Sequence, residues 1–154
     1  MAANDPLAAL NTPQRRAVTF GQPLADGKGV RSGPLLVVAG AGTGKTDTIA
    51  HRVAWLAMNG VDPGRMLLLT FTRRAAAQMR RRAHDILRRA LDDTLGNKSQ
   101  AMLQRLIWAG TFHSIGNRLL RYYGRHLKLD PGFSVIDRSD SADLFDNLRQ
   151  ELGL

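Results

Sequence analysis

The stretch LLVVAGAGTGKT, residues 35–46, joins a short apolar run to a glycine-rich turn that ends in lysine and threonine. It matches the phosphate-binding pattern G-x-x-x-x-G-K-[ST], except that Ala39 stands where the pattern has its first glycine. Such a loop needs backbone N–H groups that curl around phosphate oxygens at the start of a helix, and glycine allows the positive φ angles this requires. Because the methyl group of Ala39 is small, the stretch still predicts a buried strand, a phosphate-binding loop and a helix.

The loop residues have separate expected roles. Lys45 is expected to reach the β- and γ-phosphates of a nucleotide and the Thr46 hydroxyl to ligate Mg²⁺, so these two are the candidate catalytic residues. The alternative is a glycine-rich turn between strand and helix that binds no ligand. The apolar run before the loop and the predicted helix after it favour nucleotide binding. The predicted nucleotide-binding residues of the loop are Gly40, Ala41, Gly42, Thr43, Gly44, Lys45 and Thr46.

Apolar runs and helical patterns alternate along the chain. Strands that alternate with helices predict an α/β fold, in which a parallel sheet is flanked by helices. The predicted strands are residues 35–39, 66–71, 107–112 and a short one within 131–137, and the predicted helices are residues 12–20, 45–58, 72–91, 101–106, 113–127 and 139–152.

Local signals add detail to this outline. Thr12 and Pro13 predict the N-cap and first turn of the first helix, and residues 21–34, rich in glycine and proline, predict a flexible connector. One face of the helix after Thr72 carries apolar side chains at helical spacing, which predicts that this face is buried. The residues of that face are Ala76, Met79, Ala83, Ile86, Leu87 and Ala90.

The net charge of +9 is concentrated in residues 1–129, which hold 20 Lys and Arg against 7 Asp and Glu. Seven arginines lie between residues 73 and 89, where Asp85 is the only acid. This excess of positive charge predicts an anionic partner, with nucleic acid as the main candidate. The alternative is that the charges only form the solvated surface of an arginine-rich protein. The absence of cysteine excludes disulfides and thiolate metal sites, and no apolar run is long enough to span a bilayer. We therefore expect a cytoplasmic protein without membrane contact.

Four blocks of the chain resemble, in order, the front motifs of superfamily 1 DNA helicases of the UvrD/Rep/PcrA type. In that family the loop motif commonly begins with alanine, as it does here at Ala39. The blocks are LNTPQRRAV (10–18), similar to the Q motif, AGAGTGKT (39–46), similar to motif I, LLLTFTRRAAAQM (67–79), similar to motif Ia, and GTFHSIGNRLLR (110–121), similar to motif Ib.

The resemblance implies a RecA-like P-loop NTPase sheet, incomplete here because the chain is expected to be a fragment. Residues 1–130 would be the front part of the first motor domain. Residues 131–154 would begin the inserted 1B-like subdomain, because FSVIDRSD (133–140) is similar to the stretch that leads into it. The implied cofactors are ATP and Mg²⁺, and the implied partners are single-stranded DNA and the remainder of the helicase chain.

The resemblance also implies ligand contacts. Gln14 is expected to read the adenine edge, although a solvent-exposed glutamine is the ordinary alternative. Phe71 and Phe112 are expected to contact single-stranded DNA, and the alternative for both is burial in the core. The alternative for His113 is a histidine that only begins a helix. Asp47 departs from the family, which usually has a basic residue after the GKT. The residues expected to contact single-stranded DNA are Phe71, Thr72, Arg73, Arg74, Thr111, Phe112 and His113.

Hydrolysis of ATP requires more than a phosphate-binding loop. A carboxylate must hold Mg²⁺, and another group must orient the attacking water. The family that this chain resembles takes both from an Asp-Glu pair on a later strand, whereas this chain has one glutamate, Glu151, and no Asp-Glu pair. We therefore expect the front part of a 3′→5′ helicase that is inactive in isolation. The alternatives are a non-catalytic nucleotide- or DNA-binding protein and the front part of a helicase–nuclease subunit.

Overall fold

The computed structural model describes residues 5–90, 97–136 and 138–153, and the chain divides after Ile115 into two compact units. None of the helices in these described ranges is long and apolar enough to cross a membrane. Short 3₁₀ helices cover Pro63–Arg65 and Gly124–Leu127. The other elements are α1 (Thr12–Val18), β1 (Gln22–Pro23), β2 (Val30–Arg31), α2 (Lys45–Met58), β3 (Leu68–Thr70), α3 (Arg73–Ala90), α4 (Asn97–Gln104), β4 (Ala109–Thr111), α5 (Phe112–Tyr123) and α6 (Arg138–Leu152).

Helix α1 is capped by Asn11, so the prediction of Thr12 as the N-cap was wrong by one residue. The Asn11 Oδ1 atom accepts a hydrogen bond from the Gln14 backbone N–H at 2.9 Å, and the Asn11 N–H donates to Gln14 Oε1 at 3.0 Å. This reciprocal pair is a capping box. Asparagine caps a helix at least as well as threonine does, so two adjacent capping residues leave the start ambiguous in the sequence.

The connector after α1 contains a small antiparallel hairpin, which corrects the prediction of a flexible linker. Strands β1 and β2 pair with Gln22 opposite Arg31 and Pro23 opposite Val30. Each strand has only two residues, so the segment is too short to show the alternation by which strands are recognised in a sequence.

The core of the first unit lies between α2 and α3. Alanines on α2 allow α3 to approach closely, and the longer apolar side chains of α3 fill the remaining space. The predicted apolar face of α3 is confirmed, with Ala90 only half-buried. The core residues are Ala50, Val53, Ala54, Ala57, Met79, Ala83, Ile86, Leu87 and Leu106.

Two of the predicted strands form a parallel pair beside this core. In β3 and β4, Leu68 lies opposite Ala109 and Thr70 opposite Thr111, and the Leu68 N–H donates to Trp108 O at 2.8 Å. Parallel strands require a crossover connection, which here contains α3 and α4. The chain is therefore a mixed helix-and-sheet structure, and its parallel sheet has two strands within the described residues.

Residues 35–39 do not form the buried strand that the sequence predicts. No strand is assigned to them, and the side chains of Leu36 and Val38 are 86% and 88% exposed. A strand is stabilised by the hydrogen-bonded ladder with its neighbour, and none of the described residues pairs with this run. The prediction was wrong because an apolar run alone does not supply a partner strand.

Other elements also differ in extent from the prediction. Helix α4 begins at Asn97, within the segment 92–100 expected to separate two helices; residues 92–96 of that segment, and residue 91 at the end of the predicted helix, lie outside the described residues. Helix α5 begins at Phe112, directly after β4, and ends at Tyr123. Residues 133–136 form no strand, and the end of that predicted strand, Asp137, lies outside the described residues.

In the second unit, the side chain of Arg121 connects the end of α5 to the following loop. Its guanidinium carbon lies 4.8 Å from the ring centroid of Phe133, and its NH1 group donates to Pro131 O at 3.4 Å. The apolar side chains of α6 face solvent, among them Phe145.

Candidate nucleotide and nucleic-acid site

The glycine-rich loop turns directly into α2 because two of its glycines adopt left-handed backbone angles. Gly42 has φ +75° and Gly44 has φ +84°, and Gly44 is the N-cap residue of α2. The first intrahelical bond runs from Thr48 N to Gly44 O at 2.9 Å. No described residue accepts a hydrogen bond from the backbone N–H of Lys45, Thr46 or Asp47. The start of α2 therefore presents unused donors, which is the arrangement that binds anions.

The side chain of Lys45 folds back over the start of the loop. Its Nζ atom donates to Ala39 O at 3.0 Å and also to Gly40 O. The Thr43 hydroxyl donates to the same Gly40 carbonyl at 2.9 Å. The ammonium group is thus held beside the loop by backbone oxygens, while Thr46 is half-buried in the first turn of α2.

Gln14 connects α1 to the loop. Its Nε2 atom donates to Thr43 O at 3.0 Å, although 29 residues separate the two in sequence. A cavity of about 240 Å³ next to this contact is lined by Gln14, Thr43 and Lys45, together with apolar residues such as Val37 and Ile49. The structure therefore brings the predicted adenine-reading residue and two of the predicted phosphate-binding residues, Thr43 and Lys45, to one cavity.

Arg52, which the sequence analysis did not single out, holds α1 against α2. Its NH1 group donates to Val18 O at 2.7 Å, and its guanidinium carbon lies 5.0 Å from the ring centroid of Trp55. Partial burial lowers the pKa of Arg52, because desolvation disfavours its charged form. Arg52 precedes the buried Val53 in α2, but this position does not indicate its role in the sequence, because its hydrogen-bond partner is a backbone carbonyl of another helix.

Asp47, the departure from the family pattern, is directed towards α3. Its carboxylate lies 3.5 Å from Arg82 NH1 and 3.4 Å from His51 Nδ1, and the same imidazole nitrogen lies 2.8 Å from the Asp47 backbone oxygen. The acidic side chain is thereby placed between two basic groups. Within the described ranges, no group of three His, Cys, Asp or Glu residues could hold a metal ion.

The candidate DNA-contacting residues meet at the carboxyl ends of β3 and β4. Phe71 is 92% exposed and Phe112 is 53% exposed, and their ring centroids are 5.7 Å apart with the planes tilted by 46°. The parallel register of Thr70 with Thr111 places the two rings side by side. The core alternative is therefore wrong for both phenylalanines. Arg73, Arg74 and His113 are also exposed.

Two of the candidate DNA contacts, Thr72 and Thr111, hydrogen-bond to the helices that follow them. Thr72 Oγ1 accepts from Ala75 N at 3.1 Å, and Thr111 Oγ1 accepts from Ser114 N at 3.2 Å. Gly110 allows the second turn to form, because a Cβ atom there would lie 2.5 Å from Ser114 Oγ. These hydroxyls thus have a structural role at the helix starts, and their contact with DNA stays a prediction.

Comparison with known proteins gives one consistent family. The model of the "UvrD/REP helicase N-terminal domain" matches residues 23–153. The chain is 38% identical over 149 residues to DNA helicase II of Haemophilus influenzae, with 96% of this chain and 18% of that protein covered.

Two further relatives are ATP-dependent DNA helicases by name. ATP-dependent DNA helicase UvrD1 of Mycobacterium tuberculosis is 37% identical over 154 residues, with 99% of this chain and 17% of the relative covered. ATP-dependent DNA helicase PcrA of Bacillus subtilis is 34% identical over 153 residues, with 99% and 18% covered. The chain spans less than a fifth of the length of these relatives. Because the family model matches most of its length, the chain belongs to the UvrD/REP helicase family, through the model of that family's N-terminal domain.

Proposed function

We propose that this chain supplies the ATP-binding loop and part of the single-stranded DNA surface of an ATP-dependent DNA helicase. The observation that carries the proposal is the loop itself: Lys45 and Thr43 line one cavity with Gln14, and the first N–H groups of α2 have no acceptor among the described residues. The names of the relatives support the reaction, since they are ATP-dependent DNA helicases.

The loop fits a nucleoside triphosphate in charge and in backbone geometry. Unpaired N–H groups at the start of α2 and the positive φ of Gly44 suit a polyphosphate. Lys45 would exchange the Ala39 and Gly40 carbonyls for the β- and γ-phosphate oxygens, which are stronger acceptors because they are charged. Gln14 would then contact the adenine edge. The cavity is smaller than the about 300 Å³ at which ligand pockets begin, so it suits one part of the nucleotide.

Thr46 is the residue of this loop that would hold Mg²⁺, through its hydroxyl oxygen. Mg²⁺ prefers oxygen ligands and keeps several waters, so one hydroxyl together with substrate phosphates is a normal protein contribution. When bound, the ion would neutralise charge on the phosphates. Asp47 is not proposed as a ligand, because its carboxylate faces Arg82 and His51.

The surface at the ends of β3 and β4 fits single-stranded DNA. The exposed rings of Phe71 and Phe112 would stack on bases, which is tolerant of sequence because every base has a π-face. Arg73, Arg74 and His113 would contact phosphates nearby. Neutral aromatic surface beside positive charge is the combination that non-specific single-strand binders use.

The position of this chain in the motor is part of the proposal. The parallel β3–β4 pair would belong to a wider RecA-like P-loop sheet. Residues 1–130 would form the front of the first motor domain and residues 131–154 the start of the 1B-like subdomain. Movement 3′→5′ is proposed from the same resemblance, and a cytoplasmic location is proposed with it.

Hydrolysis is proposed to need residues outside these 154. The only glutamate, Glu151, lies in α6, and an Asp-Glu pair is lacking in the sequence. We expect the chain to bind ATP without turning it over, so phosphate release should stay at background with and without single-stranded DNA. DNA-stimulated release that Lys45→Ala abolishes would show that the chain is catalytically complete.

The DNA part is tested by salt titration of binding to a short single-stranded oligonucleotide. Each phosphate contact contributes a slope of about −0.7 to the plot of log affinity against log salt. The double variant Arg73→Ala, Arg74→Ala should reduce the slope by about 1.4. Arg31→Ala in β2, an exposed arginine outside this surface, is the matched control and should leave the slope unchanged. An unchanged slope in the double variant would show that neither arginine contacts DNA phosphates.

A further inference from the structure

The side-chain amide of Gln14 is hydrogen-bonded at both of its polar atoms. Oε1 accepts from Asn11 N at 3.0 Å, within the cap of α1, and Nε2 donates to Thr43 O at 3.0 Å, within the loop. The two contacts match the acceptor and donor character of the amide, which fixes its orientation. Gln14 therefore joins the start of α1 to the phosphate-binding loop without any nucleotide.

The bond to Thr43 determines how the next peptide group is oriented. A trans peptide is planar, and its C=O and N–H groups point in opposite directions. Because the Thr43 carbonyl is directed towards Gln14, the Gly44 N–H is directed away from α1. This N–H is one of the donors of the loop to which no described residue provides an acceptor.

The absence of a side chain at Gly44 leaves room for the Gln14 amide beside the loop. A Cβ atom at this position would lie 2.8 Å from Gln14 Nε2, closer than real Cβ atoms approach other atoms. Its φ of +84° also favours glycine. The position thus requires glycine for its backbone, and a side chain there would also displace the Gln14 amide from Thr43.

We propose that Gln14 is a positioning residue of the phosphate-binding loop as well as a base contact. It holds the Thr43–Gly44 peptide so that the loop presents its N–H groups to a polyphosphate before a nucleotide arrives. The proposal rests on the proposed function of the same loop. Both roles are compatible, since an amide has two N–H donors and two acceptor lone pairs, and the described contacts use one of each.

The test uses inorganic tripolyphosphate, which has the phosphates of ATP but no base. In calorimetric titrations of the whole chain, Gln14→Met should weaken tripolyphosphate binding about two- to tenfold, the effect of one lost hydrogen bond. Asn11→Ala is the matched control, because it removes the other half of the capping box and keeps the atoms that join Gln14 to Thr43. It should leave the affinity within about twofold.

A second measurement needs no ligand. In nitrogen-resolved NMR spectra of the free chain, Gln14→Met should shift the Gly44 amide resonance, because the Thr43–Gly44 peptide is no longer held by the amide, and Asn11→Ala should not. If Gln14→Met weakens ATP but changes neither tripolyphosphate binding nor the Gly44 resonance, Gln14 acts on the base alone and the proposal is wrong. Lys45→Ala distinguishes failure of the Gln14 proposal from failure of the proposed phosphate-binding loop. If tripolyphosphate binding survives Lys45→Ala, the loop is not the phosphate site.

Discussion

Two apolar runs of similar composition, residues 35–39 and 66–71, lead into the two groups of candidate site residues. The second run contains β3, which pairs with β4 and packs against the α2–α3 core. The first has no ladder partner among the described residues and exposes Leu36 and Val38. Yet the loop after the unpaired run has well-defined geometry, because glycine angles and the contacts of Gln14 and Lys45 determine it locally. The geometry of this loop therefore does not depend on a paired strand before it.

The largest expected effect is a difference in stability between a variant of the buried core beside β3 and β4 and a variant of the exposed run 35–39. Leu106 is fully buried in the core just before β4. The change Leu106→Ala should lower the free energy of unfolding by about 2–5 kcal/mol, because a cavity remains. The same change at Leu36 should stay within about 0.5 kcal/mol. Chemical denaturation of both variants measures the contrast. Equal losses would mean that residues 35–39 are buried in solution.

The next effect concerns the carboxyl end of the paired run. Phe71→Ala should weaken single-stranded DNA binding by about 1–3 kcal/mol, the contribution of one stacked base. The free energy of unfolding should hardly change, because the ring is exposed. Fluorescence anisotropy with a labelled oligonucleotide measures the first quantity, and Phe145→Ala in α6 is the exposed-phenylalanine control. Loss of DNA binding in Phe145→Ala alone would show that the second unit, and not the surface with Phe71, binds DNA.

The smallest effect concerns the helices that follow the two runs. Asp47 of α2 and Arg82 of α3 are 3.5 Å apart, and both are partly exposed, so solvent screens the pair. A double-mutant cycle with Asp47→Asn and Arg82→Gln should give a coupling of about 0–1 kcal/mol in thermal or chemical unfolding. A coupling above about 2 kcal/mol would mean that the ion pair, and not the apolar core, determines how α2 meets α3.

The parts of the fold that depend on local pattern could be predicted from the sequence. The helical spacing from Ala76 to Leu87 identified the buried face of α3, and the apolar runs identified β3 and β4 as strands. Residues 35–39 could not be placed, since a strand needs a partner that the run itself does not specify. The hairpin of β1 and β2 was missed because two residues per strand show no alternation.

The candidate site was predictable in its residue types and less so in its contacts. Gly42, Gly44, Lys45 and Thr46 follow from the loop pattern, and the exposed rings agree with the family motifs. The roles of these residues with ATP and DNA remain predictions. Contacts between distant residues, such as Arg52 with Val18 O and Gln14 with Thr43 O, could not be read from the sequence, because a backbone carbonyl leaves no sequence signal.

The central claim, that the loop after residues 35–39 binds a nucleoside triphosphate through Lys45, is tested most directly by ATP affinity. Isothermal titration of the chain with ATP should show binding that Lys45→Ala weakens about tenfold or more, as expected for a lost charge-assisted hydrogen bond. Lys28→Ala, in the turn between β1 and β2, should leave the affinity within about twofold. Equal affinity in the wild-type chain and Lys45→Ala would contradict the account.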